Sequence, residues 1–415
     1  MPEAKMILFE NATLWDGAAD HASPGMSVLV EGATIREVSP TPIASASATR
    51  VDVGGRTLMP GLIDAHVHVI ATDANLQRNA MLPDAVIAFR AARIMRDMLH
   101  RGFTTVRDLG GATFGLRLAW EEGHFEGPRM VICGKALGQT GGHSDPRGRF
   151  DTRDNGWFES RLGALGRIVD GVDALRRACR EEIKAGADYI KLMANGGVAS
   201  PVDPIAFLGF SEAELRAAVE EAAMAQTYVA AHLYTDEAIA RAVRCGIRSL
   251  EHCNLITEAT ARAAAAAGCI ACPTLVTYEA LAEEGAALGL GPESVAKIET
   301  VRKGGLESLD IMRRAGLTMA FGTDLLGAMH RHQSREFEIR GRVLPAVEVL
   351  RSATIHAARL LRMEDRIGRI APGFLADLLV VEGDPLSDIS LLARPERSVR
   401  MVMQGGRMVR ESLAA

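Results

Sequence analysis

His66 and His68 stand two positions apart in the run MPGLIDAHVHVI, a spacing that can hold a metal ion. Apolar neighbours surround them and Pro60-Gly61 marks the start, so the segment reads as a buried strand. Side chains alternate across a strand, which sends residues two apart to one face. Two imidazoles on one rigid strand supply half of a divalent-metal site, because zinc and similar ions favour imidazole nitrogen. Alone, the pair is equally compatible with two hydrogen-bonded core histidines. Four more candidates change that balance: Lys191 in YIKLMANGG, His232 in VAAHLY, His252 in SLEHCN and Asp324 in AFGTD. A lysine between Ile190, Leu192 and Met193 is costly to bury charged, and desolvation favours its neutral amine. A neutral amine can combine with carbon dioxide to give a carbamate, whose two oxygens can bridge two metals. A single strand lysine is more often salt-bridged or snorkelling, a single strand histidine structural, and an Asp at a strand end a helix cap. Their convergence at one end of one barrel favours the joint metal-site reading.

A barrel is what would bring such distant residues together. From Ile63 onward eight strand-like runs recur, namely IDAHVHVI, FTTVRDLG, RMVICG, YIKLMA, YVAAHLY, SLEHCN, CIACPTL and MAFGTD. Helix-period segments lie between them: Asp84 to His100, Ala174 to Lys184, Ser211 to Gln226, Asp236 to Cys245 and Thr257 to Ala267. In the first, Ile87, Ala91, Ile94, Met95 and Met98 form one apolar stripe. Ser211 with Glu214 resembles a capping box. Strand and helix in alternation imply parallel strands, and eight units close into a (β/α)8 TIM barrel whose site lies at the C-terminal strand ends. Residues 6–58 and 373–411 instead alternate in the β manner. Neither flank has enough strands to be stable alone, so both ends are expected to pair into one small β-sandwich. The implied division is residues 1–59, 60–368 and 369–415, the first and last forming the sandwich. Gly138 to Asn155 reads as a polar, Gly-rich, mobile loop.

Bulk properties narrow the function classes. A formal charge of -5 and a pI near 6.2 give no basic surface for nucleic acid or acidic membrane. There is no secretory signal pattern and no apolar run of transmembrane length, which points to a soluble, cytoplasmic protein. Six cysteines in 415 residues do not suggest a disulfide framework, and Cys269 and Cys272 read as core residues despite their C-x-x-C spacing.

With these motifs the chain resembles the amidohydrolase superfamily of metal-dependent hydrolases. GRTLMPGLIDAHVHV resembles its entry into strand one, and GRIAPGFLADLLVVEGDP its return to the sandwich. The resemblance implies two divalent ions per chain, most simply zinc. His66 and His68 with Asp324 would hold one, His232 and His252 the second, and carboxylated Lys191 would bridge them. It also implies a metal-activated hydroxide as nucleophile, with Asp324 as general acid and base.

Three local features narrow the substrate. GKALGQTGGHSD carries His143, HLYTDEAI carries Tyr234, and GTDLLGAMHRHQSREFE carries His330 and His332. Together they resemble the branch that holds prolidase-like enzymes, Xaa-Pro and Xaa-Arg dipeptidases and ochratoxin amide hydrolases. That resemblance implies cleavage of an amide bond to a C-terminal amino acid in dipeptides or N-acyl amino acids, ochratoxin-like amides included. His143 and Tyr234 would contact the carbonyl oxygen or the free carboxylate, with His330 a further contact. It also implies a homo-oligomer such as an octamer. A bland reading stands beside each: His143 as an order-giving residue of a glycine loop, Tyr234 as a packing residue whose hydroxyl reaches solvent, and His330 and His332 as residues of an exposed loop. Gly196 and Gly197 would let backbone approach the site. Two other functions fit the same barrel. One is a cyclic-amide hydrolase of the imidazolonepropionase or dihydroorotase type, although imidazolonepropionases generally lack a lysine like Lys191. The other is a noncatalytic metal-binding scaffold, which the six filled ligand positions disfavour.

Overall fold

The computed structural model describes residues 5–200 and 202–413. Its centre is a (β/α)8 barrel. In order, the strands are Leu62–Val67, Phe103–Asp108, Arg129–Ile132, Ile190–Met193, Val229–Thr235, Ser249–Leu255, Ile270–Cys272 and Thr318–Met319. Six of the eight neighbouring pairs form parallel ladders, one to two, two to three and then successively from four to eight. Strand three is broken at Gly134, whose φ of 68° needs a residue without Cβ strain. Before the break it pairs with strand two; after it, Ala136–Gly138 pairs with strand four through Leu137 and Leu192. A short strand at Gly166–Ile168, which the hydrophobic pattern does not foreshadow, adds to the far side of Ala136–Gly138.

Closure of the barrel is itself part of the site. The Ala65 N–H donates to Phe321 O and the Asp324 N–H to His66 O, both at 2.8 Å. The backbone bonds that join strand eight to strand one therefore hold Asp324 beside His66.

The helices follow their apolar stripes. Asp84–His100 buries Ile87, Ala91, Met95 and Met98. Ser211 caps Glu212–Met224 in a reciprocal capping box with Glu214, and Thr257 caps Glu258–Ala266. A 23-residue helix, Pro292–Arg314, lies between strands seven and eight. Gly304 and Gly305 interrupt its pattern in sequence. In the fold they leave room for Asn254 and Leu275 to press against the helix.

Both chain ends enter one eight-stranded sheet beside the barrel. Thr57–Pro60 lies between Met6–Leu14, which it joins in parallel, and Leu378–Val381, which it joins antiparallel from Leu378↔Pro60 to Val381↔Thr57. Phe9, Val28, Leu58, Leu378, Val380 and Met401 pack its core. All six cysteines are buried and free. Among the described residues, no helix is long and apolar enough to cross a membrane.

Candidate active site

Four histidines and one aspartate converge inside the barrel mouth. His66 and His68 share a face of strand one, and their Nε2 atoms lie 3.5 and 3.3 Å from Asp324 Oδ1. The His252 ring is centred 4.8 Å from that of His66 and 4.6 Å from that of His232. His66, His252 and Asp324 each offer a ligand atom within 4.8 Å of the others, a candidate divalent-ion site. Lys191 is 1% exposed, and burial lowers its pKa against the pull of the nearby Glu251 and Asp324 charges. Burial and the neighbouring histidines also lower His232 and His252 well below the usual imidazole value, so both rings are neutral donors.

Local backbone strain contributes to this convergence. His232 pairs with Glu251 across strands five and six, so regular alternation would send His252 to the opposite side. A φ of 72° at His252 and 58° at Cys253 breaks the alternation, and Glu251 and His252 both reach His66. Asp324 also has left-handed backbone, at φ 52°.

The second layer of the site was not visible in the motifs. Glu251 accepts from His66 Nδ1 at 2.8 Å and from Arg107 Nη2 at 2.9 and 3.0 Å. Arg107 in turn donates to Ala65 O at 2.7 Å and to Ser249 Oγ at 3.0 Å. Burial pushes the Glu251 carboxyl up, but the Arg107 guanidinium and His66 outweigh it and hold the group ionised, below the usual carboxylate range. A carboxylate on Nδ1 fixes the tautomer of His66 and leaves Nε2 bare toward Asp324. Gly110 O plays the same part for His68 Nδ1 at 3.1 Å, and Thr274 Oγ1 for His252 Nδ1 at 2.7 Å. His232 is reversed, because its Nε2 meets Gly196 O at 3.2 Å and Nδ1 is left free. The signal for this layer was present in the sequence: Arg107 and Glu251 are charged residues inside strands.

The strand ends open into a cleft of about 860 Å³ including its mouth, lined among others by His68, His143, Tyr234 and Asp324. His143 stacks on His232 with ring centroids 4.2 Å apart, and its Nδ1 lies 2.8 Å from Ser200 Oγ. A Cβ on Gly197 would collide with the His143 ring, so this glycine is what lets the His143 loop approach. Between Gly138, which ends a strand, and Asn155, which opens the short helix Asn155–Glu159, the segment carries no regular element, yet Asp145 pins it through Arg147 and the Gly141 N–H. Tyr234 reaches the cleft beside a second tyrosine that the motifs did not single out. Tyr278 donates its hydroxyl to Tyr234 Oη at 3.0 Å and lies 3.2 Å from His252 Nδ1.

Two candidates lie elsewhere. His330 is buried behind the site with Nε2 on Ala71 O at 3.2 Å, and it does not line the cleft. Burial drives its pKa down to about 3. His332 pairs with Glu284 at 2.6 Å and does not line the cleft either.

The model of the Amidohydrolase family matches residues 57–409. An ochratoxinase from Aspergillus niger is 32% identical over 364 residues, covering 85% of this chain and 75% of the relative. A solved amidohydrolase is 52% identical with a TM-score of 0.96, covering 98% of this chain and 99% of its own. A prolidase solved in complex with N-methylphosphonate-L-proline is 49% identical with a TM-score of 0.97, covering 98% of this chain and 100% of its own.

Proposed function

The chain belongs to the amidohydrolase family, and from that premise we propose that it hydrolyses the amide bond to a C-terminal amino acid in dipeptides or N-acyl amino acids. The observation that carries this reading is the placement of His143 and Tyr234 on the wall of the cleft whose floor holds His68 and Asp324. In our reading His66, His68 and Asp324 would hold one divalent ion and His232 and His252 a second, with Lys191 as its carbamate serving as a further ligand and zinc as the metal. Such ions supply Lewis-acid polarisation of a carbonyl and lower the pKa of water at the site.

The protein's own groups do the rest. The Asp324 carboxylate, at the cleft floor between His66 Nε2 and His68 Nε2, is the base in this reading: it takes a proton from water and returns it to the leaving nitrogen. Tyr234 receives the Tyr278 hydroxyl on its oxygen, which leaves its own O–H to donate into the cleft. With His143 it forms the donor pair for the substrate carbonyl or carboxylate. The resemblance to prolidase and ochratoxinase supports an amino acid with a free carboxylate as the leaving group.

A library of dipeptides and N-acyl amino acids, each paired with its C-terminal amide and assayed for released amino acid, tests the reading. The free acids should be cleaved and the amides rejected, because donors built to pair a buried anion are left unsatisfied without it. Equal rates on acids and amides would replace it with a general amide or lactam hydrolase.

A further inference from the structure

Leu76, Leu165, Val198, Leu281 and Leu326 give the cleft an apolar side, and its other polar groups besides histidine and aspartate are the uncharged side chains of Gln77, Ser144, Ser200, Thr277, Tyr234 and Tyr278. Among the described residues that line it there is no lysine or arginine, and only Asp145 and Asp324 bear carboxylates. Neither carboxylate is available to a substrate ammonium, Asp324 because in the proposed reading it is a metal ligand. Asp324 lies between the Nε2 atoms of His66 and His68. Asp145 is 4% exposed and accepts from Arg147 Nε at 2.9 Å and Nη2 at 2.8 Å, and from the Gly141 and Arg147 N–H groups at 3.0 Å.

This arrangement discriminates on the acyl side of the substrate. The α-ammonium of a dipeptide is one carbon away from the scissile carbonyl. Whenever that carbonyl reaches the floor of the cleft, the ammonium is drawn into the same desolvated space, beside a cluster built for cations. A charge buried there without a partner is strongly disfavoured, and bound divalent ions would add repulsion. An uncharged acyl group avoids this cost and gains apolar contact with the leucines. We infer that the site selects amides whose acyl part is uncharged and apolar, and takes N-acyl amino acids ahead of dipeptides in their ammonium form. This rests on the proposed function and specifies its substrate class.

The test is a pair of compounds that differ only in the ammonium: a phenylalanyl amino acid and its 3-phenylpropanoyl counterpart. Both carry the C-terminal residue that the library shows to be released fastest, and the enzyme is the metal-replete wild type. At pH 6.5 the 3-phenylpropanoyl compound should have a kcat/KM at least about tenfold higher. That ratio should shrink as pH rises through the dipeptide α-amino pKa of about 7.7–8.0, because the neutral amine no longer brings a charge. A dipeptide equal or superior at pH 6.5, or a ratio that does not change with pH, overturns the inference while leaving the parent reading intact. Failure to release any C-terminal amino acid across the library overturns both.

Discussion

Replacing Glu251 by Gln probes the charge chain that runs through the barrel core. Glu251 and Arg107 are both 0% exposed on their side chains and pair at 2.9 Å. The substitution keeps shape but removes the counter-ion, and neutralising one partner of a buried pair costs about 3–5 kcal/mol. Glutamine also offers one acceptor oxygen where the carboxylate offers two, while Arg107, His66 and Ser249 all donate to it. That loss overlaps with the first and is not added to it. With an unfolding entropy of about 2.1 cal/mol/K per residue, metal-free Glu251→Gln should melt roughly 3–6 °C below wild type. His66 also loses the carboxylate that raises the basicity of Nε2, so metal affinity should fall about tenfold to hundredfold. The assay is circular-dichroism melting of metal-free and metal-loaded protein, with affinity measured by chelator competition. Arg107→Met combined with Glu251→Gln should recover most of the melting temperature, because no orphan charge remains, but not the affinity. A Glu251→Gln protein that melts within about 1 °C of wild type and binds metal equally well would refute the assignment.

Lys191→Ala should lower metal content by elemental analysis and abolish turnover, and short carboxylic acids that fill the gap should restore part of it; an active, metal-replete variant would remove the bridging role. Tyr234→Phe should cost about 1–3 kcal/mol in transition-state stabilisation, read as kcat/KM. Tyr278→Phe should add little in that background, since Tyr278 acts on the substrate through the Tyr234 hydroxyl; full additivity in the double variant would count against the coupling. Glu336 is pushed up to about 7 by burial, despite its pairing with Arg340 at 2.7 Å. A raised carboxyl contributes stability that is full below the unfolded value of about 4.3 and lost as pH rises toward the folded one. Urea midpoints of wild type should therefore carry a downward component between about pH 4.3 and 7 that Glu336→Gln lacks.

The barrel was legible because its cues are local. Strands such as YVAAHLY and RMVICG announce themselves by short apolar runs, and the helix Asp84–His100 by a stripe of period 3.6. The histidines, Lys191 and Asp324 were legible because their types are unusual at strand positions. Arg107 and Glu251 are equally unusual there, but their significance is a pairing across 144 positions that no local pattern encodes. His330 is close to Asp324 in sequence, yet its side chain is buried on Ala71 O and does not line the cleft, a placement that sequence nearness does not encode. The helix Pro292–Arg314 was hidden by Gly304 and Gly305, whose helix cost is offset by close tertiary packing.

The strand order of the terminal sheet has a consequence for biosynthesis. Thr57–Pro60 leads directly into strand one, yet its other partner, Leu378–Val381, is translated more than three hundred residues later. Until it emerges from the ribosome, Leu58 and Met59, both 0% exposed in the finished fold, border an open strand edge. At about 5–20 residues per second, that edge stays open for roughly 15–60 s while the barrel is being made. A nascent chain stalled before residue 378 should therefore be the aggregation-prone species, and the one that a chaperone holding extended apolar segments would retain.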